Sequence, residues 1–469
     1  MPMNNPSAVQ GAGIRLGIPA ALERPQRAMA SPPTVTTSTV ASQISGGRVY
    51  PMWRTGNSSF PYVGASVLSS VTPAAGAQVI GPITVNAAGT TFTNQSFRYV
   101  MNFDGTTLEF QNQSAGGAYW IKINDEYIDP AGTTLAADAT NRWIKITFAA
   151  RTQCKIEWFG YGLDVSAIFV DATAGLYPAP IRGKRIIMLG DSFFGSSSTP
   201  SRVVADMLGW NDVWNNGMGG TGVVSTNGGA NQSYEQRFAH DVLGYTPDIA
   251  WVVGSVNDDA ATPADVSAAI LRMRNAYIAA KPQGLFVWSP NASNGPGQWT
   301  INKNRIRWGI TAALAGLQNT LVVDTLEQPT YTQNVLPAAT LQTASIIGAT
   351  SLKVFGQALQ GGFPQIGGCI RIDDEVFEVK DCAFGGTSGG NYLFTVTIDG
   401  TAKAAHAAGA AWTTVGAPYI TGTGSAGNPS GYGSSDVYRI SNADIHATFA
   451  GAVAMGIALA NGLQRATYA

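Results

Sequence analysis

The sequence predicts a multidomain α/β and β protein, in which a doubly wound α/β unit is preceded by a β-sandwich and interrupted by an inserted small β-domain. Its 469 residues are enough for about two to four domains. Short runs in which apolar and polar residues alternate over 46–175 are typical of antiparallel strands. Continuous apolar runs from 183 onwards indicate parallel strands that are buried on both faces, and alternation returns over 332–425.

The N-terminal part of the chain contains two regions of different pattern. Residues 1–45 are rich in Pro, Ser, Thr and Ala and lack periodicity, which is typical of a tether or docking tail. The predicted sandwich over 46–175 has a hairpin turn at Asn124-Asp125. It also contains three tryptophans, Trp120, Trp143 and Trp158. We expect these rings in the core, and a sugar-binding platform is the alternative.

The first part of the α/β unit is predicted over 183–331, where strands and helices alternate. Its predicted strands are Arg185–Gly190, Ile249–Val253, Leu285–Trp288 and Leu321–Val323. One helix begins after the N-cap Thr262, and a second spans Asn302–Gln318. Binding sites in such sheets lie beyond the carboxyl ends of the strands.

An inserted β-domain is predicted over 332–425, and the α/β unit resumes over 426–469 with a C-terminal helix. The insertion leaves after the last predicted strand and returns just before the last helix. Both junctions lie at the carboxyl edge of the predicted sheet. We therefore expect the insert to overhang a site at that edge.

Composition argues against two classes of partner. Only 12% of residues are charged and the formal net charge is -1 without a Lys/Arg cluster, so we expect neither nucleic acid nor an anionic membrane to bind. No cysteine has a metal-binding spacing. The N-terminus lacks the pattern of a Sec signal peptide, and glycine and polar residues interrupt the apolar stretch Ala447–Leu463, which predicts a buried helix without membrane insertion.

Gly190-Asp191-Ser192 is the strongest candidate for chemistry, because it places a serine where a buried strand meets a turn. A serine nucleophile needs a base, and histidine is the best-matched side chain. His406 falls in the inserted domain and His240 at a predicted surface helix end. The loop that carries His446 is expected to return to the carboxyl edge of the sheet, so His446 is the predicted base.

Two loops are candidates to supply donors to an oxyanion. The segment Asn215–Gly222 is rich in glycine, which allows a backbone N–H to approach closely. The segment Gly254–Asp258 closes a predicted strand and places the Asn257 amide at the sheet edge. Each loop could also be a purely structural turn, and neither matches a Walker or dinucleotide-binding pattern.

In this order, the segments resemble the sequence blocks of the SGNH, or GDSL-type, serine hydrolases. The matching residues are Gly190-Asp191-Ser192, Gly220, Asn257-Asp258 and the loop with His446. The resemblance implies a flavodoxin-like α/β/α fold that needs no metal or cofactor. It implies Ser192 as nucleophile and His446 as base, with the Ser192 N–H, the Gly220 N–H and the Asn257 side chain as the oxyanion hole. Gly190, Asp191 and Asp258 are implied as supporting residues.

The chain departs from this family's pattern at the acid that orients the histidine. The family places the acid three residues before the histidine, where this chain has Ala443, and Asp444 stands one residue closer. Residues i and i+2 of a helical turn point to different sides, so Asp444 reaches His446 only where the loop is extended. A triad with Asp444, a Ser–His dyad and a site that has lost catalysis all stay open.

Two further resemblances concern the other domains. Segments of the insert, among them Ile370–Val376 and Gly400–His406, resemble a β-module of bacteriophage tail and fibre proteins, and the sandwich resembles N-terminal domains of polysaccharide esterases. Together they imply a virion-borne tail spike or fibre protein that removes O-acyl groups, O-acetyl above all, from bacterial surface polysaccharide. Residues 1–45 would then dock to other virion tail proteins, and a homotrimer is one open arrangement because fibres are often trimers.

Two other functions stay open at this stage. The first is a receptor-binding or structural virion protein that binds glycan without turning it over, which the Asp444 spacing motivates. The second is a secreted bacterial carbohydrate esterase, which the missing signal peptide disfavours.

Overall fold

The chain is a mixed α/β protein with several β-sheets. The computed structural model describes residues 27–51, 62–63, 66–67, 80–81, 83–85, 91–93, 97–136, 140–180, 182–195, 199–226, 228–229, 231–290, 301–323, 340–356, 369–373, 375–388, 391–415 and 449–468.

The N-terminal part of the described chain is built from antiparallel strands. They are β1 (Thr34–Ser38), β2 (Arg48–Pro51), β3 (Tyr62–Val63), β4 (Ser66–Val67), β5 (Ile80–Gly81), β6 (Ile83–Val85), β7 (Thr91–Thr93), β8 (Phe97–Ile123), β9 (Glu126–Tyr127), β10 (Thr133–Thr134), β11 (Asn141–Val170) and β12 (Gly175–Pro178). Residues 108–113 of β8 pair on one side with 141–146 of β11 and on the other with 164–170. Alternate side chains such as Phe110 and Ile144 are buried in one shared core, which explains the period-2 pattern of the sequence.

Two sequence features of this region have clear structural outcomes. Asn124 and Asp125 both adopt left-handed backbone angles, with φ of 50° and 74°, and close the β8–β9 hairpin as a two-residue turn. Trp120 and Trp158 are buried, so the sugar-platform alternative is wrong for these two rings. Trp158 packs against Phe110 in the core, because its large apolar surface gains most from burial there.

The α/β region follows with strands and helices in alternation. Its elements are β13 (Ile186–Gly190), α1 (Ser192–Gly195), α2 (Thr199–Leu208), β14 (Val213–Gly217), α3 (Tyr234–Asp241), β15 (Ile249–Val253), α4 (Pro263–Ala280), β16 (Leu285–Ser289), α5 (Ile301–Leu314), β17 (Thr320–Val322) and, near the C-terminus, α6 (Phe449–Tyr468). Within the described residues, the strands pair in parallel in the order β14-β13-β15-β16-β17. The order reverses beside β13, and crevices at such reversals are where doubly wound sheets bind ligands.

Both faces of this sheet are covered by helices. Met188 of β13 packs in one core with residues of α2 and α6, and the next residue, Leu189, packs in another core with residues of α3, α4 and α5. A strand buried on both faces has no polar side to present, which is why these strands read as continuous apolar runs.

Local signals in the sequence also set the helix boundaries. Thr262 caps α4, with its Oγ1 accepting the Asp265 N–H at 3.1 Å and Pro263 in the first turn, as predicted. The α5 helix ends at Leu314, earlier than the predicted Gln318, because Gly316 takes a left-handed φ of +74° and terminates the turn.

The region between 340 and 415 forms a separate antiparallel sheet. Its strands are β18 (Thr340–Leu341), β19 (Ser351–Gly356), β20 (Cys369–Ile372), β21 (Glu375–Ser388), β22 (Asn391–Ile398) and β23 (Trp412–Val415). Val354, Phe394 and Trp412 belong to its own apolar core. The two predicted junctions with the α/β unit fall on 324–339 and 416–448, outside the described residues, so the predicted overhang stays a prediction. Across the described residues, every helix is too short or too polar to cross a bilayer.

Candidate active site

Ser192 stands directly after β13, at the start of α1, and is half-buried. The preceding residue, Asp191, is fully buried and holds this turn from two sides. Its Oδ1 accepts the Phe193 N–H at 3.0 Å, and its Oδ2 accepts the Val256 N–H at 3.2 Å. Asp191 therefore fixes the backbone of the serine turn and ties that turn to the loop that follows β15.

Gly190 lies at the carboxyl end of β13, where the space for a side chain is filled. A Cβ at this position would lie 2.7 Å from a ring carbon of Phe194, so glycine is required by packing. The Gly190 carbonyl accepts two hydrogen bonds, from the Met218 N–H at 3.0 Å and from Nη2 of Arg237 at 2.9 Å. The carboxyl end of β13 is thus anchored to the residue that follows β14 and to α3.

Arg237 is a site residue that sequence reasoning missed. It is fully buried, donates to the Asn216 carbonyl at 2.9 Å and pairs with Asp241 at 2.7 Å. Together with its bond to Gly190, it joins the carboxyl ends of β13 and β14. The only sequence signal was a charged pair at i and i+4 in a helix, which more often stands on an exposed face.

The glycine-rich loop forms a tight turn beside Ser192. The Thr221 N–H points to the Met218 carbonyl at 3.4 Å, and Gly220 has a φ of +72° at the third position of this turn. A positive φ there defines a type II turn and favours glycine. A Cβ built on Gly219 would lie 3.7 Å from the Ser192 Cβ. The Gly219–Gly220 peptide is therefore an immediate neighbour of the serine.

Asn257 reaches the same turn from the loop after β15. Its Nδ2 donates to the Thr221 carbonyl at 2.9 Å, and the Ser255 hydroxyl donates to that same carbonyl at 3.0 Å. An asparagine amide carries two N–H groups, so this bond uses one of them. The amide is thereby held at the edge of the sheet where Ser192 and the glycine turn lie.

Asp258 anchors the segment that follows the glycine turn. Its buried carboxylate accepts the N–H groups of Val223 at 2.7 Å, Val224 at 3.1 Å and Ser225 at 3.1 Å. Burial raises the pKa of Asp258 above its usual value, and these backbone hydrogen bonds oppose that rise. A Cβ on Gly222 would lie 2.4 Å from Oδ1 of Asp258, so the carboxylate fits only because position 222 is glycine.

The structure thus brings the loops of Ser192, Gly220 and Asn257 together at one edge of the parallel sheet. His446 and Asp444, the predicted base and its acid, lie outside the described residues, and the choice between triad and dyad stays a prediction. His240 lies in the last turn of α3 with a side chain that is 40% exposed, while His406 is buried in the insert. Across the described residues, no group of three His, Cys, Asp or Glu side chains is arranged to hold a metal ion.

Comparison with known proteins gives partial structural likenesses. No family model matches the sequence, and no curated protein matches it. A family two carbohydrate esterase from Cellvibrio japonicus is 12% identical, with 62% of this chain and 89% of that one covered at a TM-score of 0.44. An acetyl xylan esterase from the rumen bacterium Butyrivibrio proteoclasticus is 12% identical over 59% and 89%, with a TM-score of 0.41. A family two carbohydrate esterase from Clostridium thermocellum, in complex with cellohexaose, is 13% identical over 57% and 88%, with a TM-score of 0.41.

Proposed function

We propose that this protein is an SGNH-type serine esterase with a flavodoxin-like α/β/α catalytic unit. It removes O-acyl groups, above all O-acetyl, from bacterial surface polysaccharide as part of a phage tail spike or fibre. One observation carries the catalytic part of the proposal. Ser192, the Gly219–Gly220 turn and the Asn257 amide converge at the carboxyl edge of the sheet, next to the reversal of strand order.

The proposed reaction is a two-step acyl transfer. The Ser192 hydroxyl attacks the ester carbonyl while His446 accepts its proton. The tetrahedral oxyanion receives hydrogen bonds from the Ser192 N–H, the Gly220 N–H and the second N–H of Asn257. Collapse breaks the ester C–O bond, and the sugar hydroxyl leaves with the proton from His446. Water, deprotonated by His446, then attacks the acyl-enzyme, which releases the carboxylate and restores Ser192.

Pre-organisation of these donors supports a catalytic role for the site. Asp191 fixes the backbone of the serine turn, and the Thr221 carbonyl holds Asn257. Donors that are fixed before reaction need no reorganisation when charge develops, and each is worth several kcal/mol in characterised esterases and proteases.

The substrate and the setting are supported by the sequence. Only 12% of residues are charged, which suits a neutral, sugar-bearing partner better than a polyanion. The likeness of Ile370–Val376 and Gly400–His406 to a phage tail module supports the virion setting, with residues 1–45 as the docking segment. In this proposal the insert overhangs the site and selects the polysaccharide.

Acetate release from O-acetylated host polysaccharide tests the enzymatic proposal. Wild-type protein should release acetate, and Ser192→Ala should reduce the rate by about 10³-fold or more while the circular dichroism spectrum stays unchanged. Equal release by the two proteins would refute an esterase that acts through Ser192.

The second candidate function is glycan binding without turnover, which the position of Asp444 favours. A fluorophosphonate probe separates the two, because it reacts with an activated serine and leaves an idle one unmodified. Labelling of wild type but not of Ser192→Ala supports the esterase, whereas polysaccharide binding with no labelling supports the binding protein.

A further inference from the structure

We propose that Asn231 is a positioning residue that sets the direction of the Gly220 N–H in the oxyanion hole. This inference rests on the proposed function, and it assigns a role to a side chain outside the family's sequence blocks. Asn231 lies in the loop between the glycine turn and α3, twelve residues beyond Gly219.

Asn231 contacts the Gly219–Gly220 peptide, which carries the Gly220 N–H. The Asn231 Nδ2 donates a hydrogen bond to the Gly219 carbonyl at 3.2 Å. The Asn231 backbone is itself fixed, because its N–H donates to the Thr226 carbonyl at 3.1 Å and Thr226 bridges back to Thr221. The amide is therefore delivered by a loop that is closed onto the glycine turn.

Fixing the Gly219 carbonyl also fixes the Gly220 N–H. Both groups belong to one planar trans peptide, in which C=O and N–H point in opposite directions. The peptide is central to the turn from Met218 to Thr221, and type I and type II turns differ by rotation of this unit through about 180°. In the observed type II form Gly220 has a φ of +72°, and glycine can enter either form at little cost.

The contacts that close the turn give little protection against such a flip, because they join Met218 to Thr221 and are compatible with both turn types. The Thr221 N–H lies 3.4 Å from the Met218 carbonyl oxygen, and the Thr221 hydroxyl donates to that oxygen at 2.8 Å. The carboxylate of Asp258 holds only the later part of the loop, from Val223 to Ser225. Among the contacts of the described residues, the Asn231 amide is thus the side-chain group that resists rotation of the Gly219–Gly220 peptide.

A flipped peptide would oppose the proposed reaction. With the Gly219 Cβ position only 3.7 Å from the Ser192 Cβ, rotation would replace an N–H donor beside the oxyanion by a carbonyl oxygen. Loss of one oxyanion donor costs about 10² to 10³ in kcat. Because only part of the population would flip, we expect kcat to fall about 10- to 100-fold with KM within about twofold.

Two substitutions of Asn231 test this role with p-nitrophenyl acetate and a fluorophosphonate. Asn231→Ala removes the amide, and Asn231→Asp keeps its shape but substitutes an acceptor that repels the carbonyl. We expect both to lower kcat and the rate of inactivation by the fluorophosphonate. Thr226→Val is the matched control, because the Thr226 hydroxyl accepts the Gly229 N–H in the same loop and has no bond to Gly219. Its kcat should stay within about twofold of wild type.

A double-mutant cycle gives a readout that general loosening of the loop would not give. Gly220→Ala disfavours the left-handed φ and releases the same peptide, so adding Asn231→Ala to it should lower kcat by less than about twofold more. Full additivity would overturn the inference, as would wild-type kcat in both Asn231 variants while the wild type still labels at Ser192. If the wild type shows no Ser192-dependent hydrolysis or labelling, the proposed function fails and this inference fails with it.

Discussion

Two charged clusters, each built around one buried side chain, hold distant chain segments together, one at the candidate active site and one in the insert. Arg237 joins the ends of β13 and β14 and pairs with Asp241. In the insert, His406 lies between two carboxylates, with Nδ1 2.8 Å from Asp373 and Nε2 2.9 Å from Glu375. An arginine stays charged throughout the range in which proteins fold, whereas a histidine titrates. Arg237 therefore keeps its charge over the pH range in which His406 titrates.

The two clusters also differ in how water reaches them. Arg237 and Asp241 are both fully buried, so removal of either would leave an uncompensated charge. The His406 side chain is only 2% exposed, but Asp373 is 61% exposed and can be solvated without its partner. Glu375 has partners of its own, since it accepts the N–H groups of Lys403 and Ala404. The histidine cluster can be weakened without breaking the domain.

The largest effect should come from Arg237→Met. It removes the guanidinium from the buried Asp241 carboxylate, which keeps only its contact with the partly exposed His240 ring, and it removes one hydrogen bond each from the Gly190 and Asn216 carbonyls. The free energy of unfolding should therefore fall by about 3 to 5 kcal/mol. The proposed esterase turnover should fall with it, because Ser192 directly follows the end of β13. Urea denaturation and acetate release measure the two effects.

Arg272→Met is the matched control for that arginine. Arg272 pairs with Glu235 at the surface, where its side chain is 61% exposed. Solvent and salt screen exposed ion pairs, so only a small change in stability is expected. Equal losses of stability in the two variants would contradict the role assigned to the buried pair.

His406→Gln should have a smaller effect that is confined to the insert. Hydrogen bonds to charged groups contribute about 1.5 to 3 kcal/mol, and glutamine cannot carry the positive charge between the two carboxylates. Amide hydrogen exchange of the full chain should show lost protection in β20 to β22 and unchanged protection in β13 to β15. Lys380→Gln, which removes an exposed pair with Asp399, should leave exchange near wild type. Lost protection in β13 would show that the two clusters are coupled.

Local patterns in the sequence predicted the mixed α/β fold, which is confirmed, but they did not predict these clusters. Apolar runs placed the parallel strands, and Thr262-Pro263 placed the start of α4, because both signals act within a few residues. The order of Ser192, Gly220 and Asn257 identified loops that the structure places at one sheet edge. In the sequence, Arg237 and Asp241 have the spacing of an ordinary surface ion pair. The burial of Arg237 could not be predicted, because the Gly190 carbonyl that it binds is 47 positions away.

His406 shows the same limit of sequence reasoning. Its partners precede it by 33 and 31 residues, and nothing in the local pattern connects them. They meet because β20 and β21 pair around the Asp373 turn, with Ile372 opposite Glu375, and because Ser345 bridges to His406. Such contacts depend on tertiary register, which the period of a single strand does not encode.

The pH dependence of the insert should give the smallest effect and the sharpest separation of the two clusters. Burial alone would lower the pKa of His406, but hydrogen bonds with Asp373 and Glu375 outweigh it and raise the pKa above its usual 6.5. The stabilisation by His406 is therefore complete below about pH 6.5 and is lost as pH rises through the raised pKa.

Glu375 sets the lower limit of the pH range in which the His406 cluster stabilises the insert. Burial raises its pKa, but the backbone N–H groups of Lys403 and Ala404 and the His406 side chain lower it overall. Its contribution is present above about pH 4.5 and is lost as pH falls through the lowered value.

Hydrogen exchange, corrected for its intrinsic pH dependence, should show β20 to β22 opening more readily at pH 9 than at pH 6. His406→Gln should remove that difference, because glutamine does not titrate, and protection of β13 to β15 should stay constant. An equal pH response in both regions would mean that the histidine cluster is not its source.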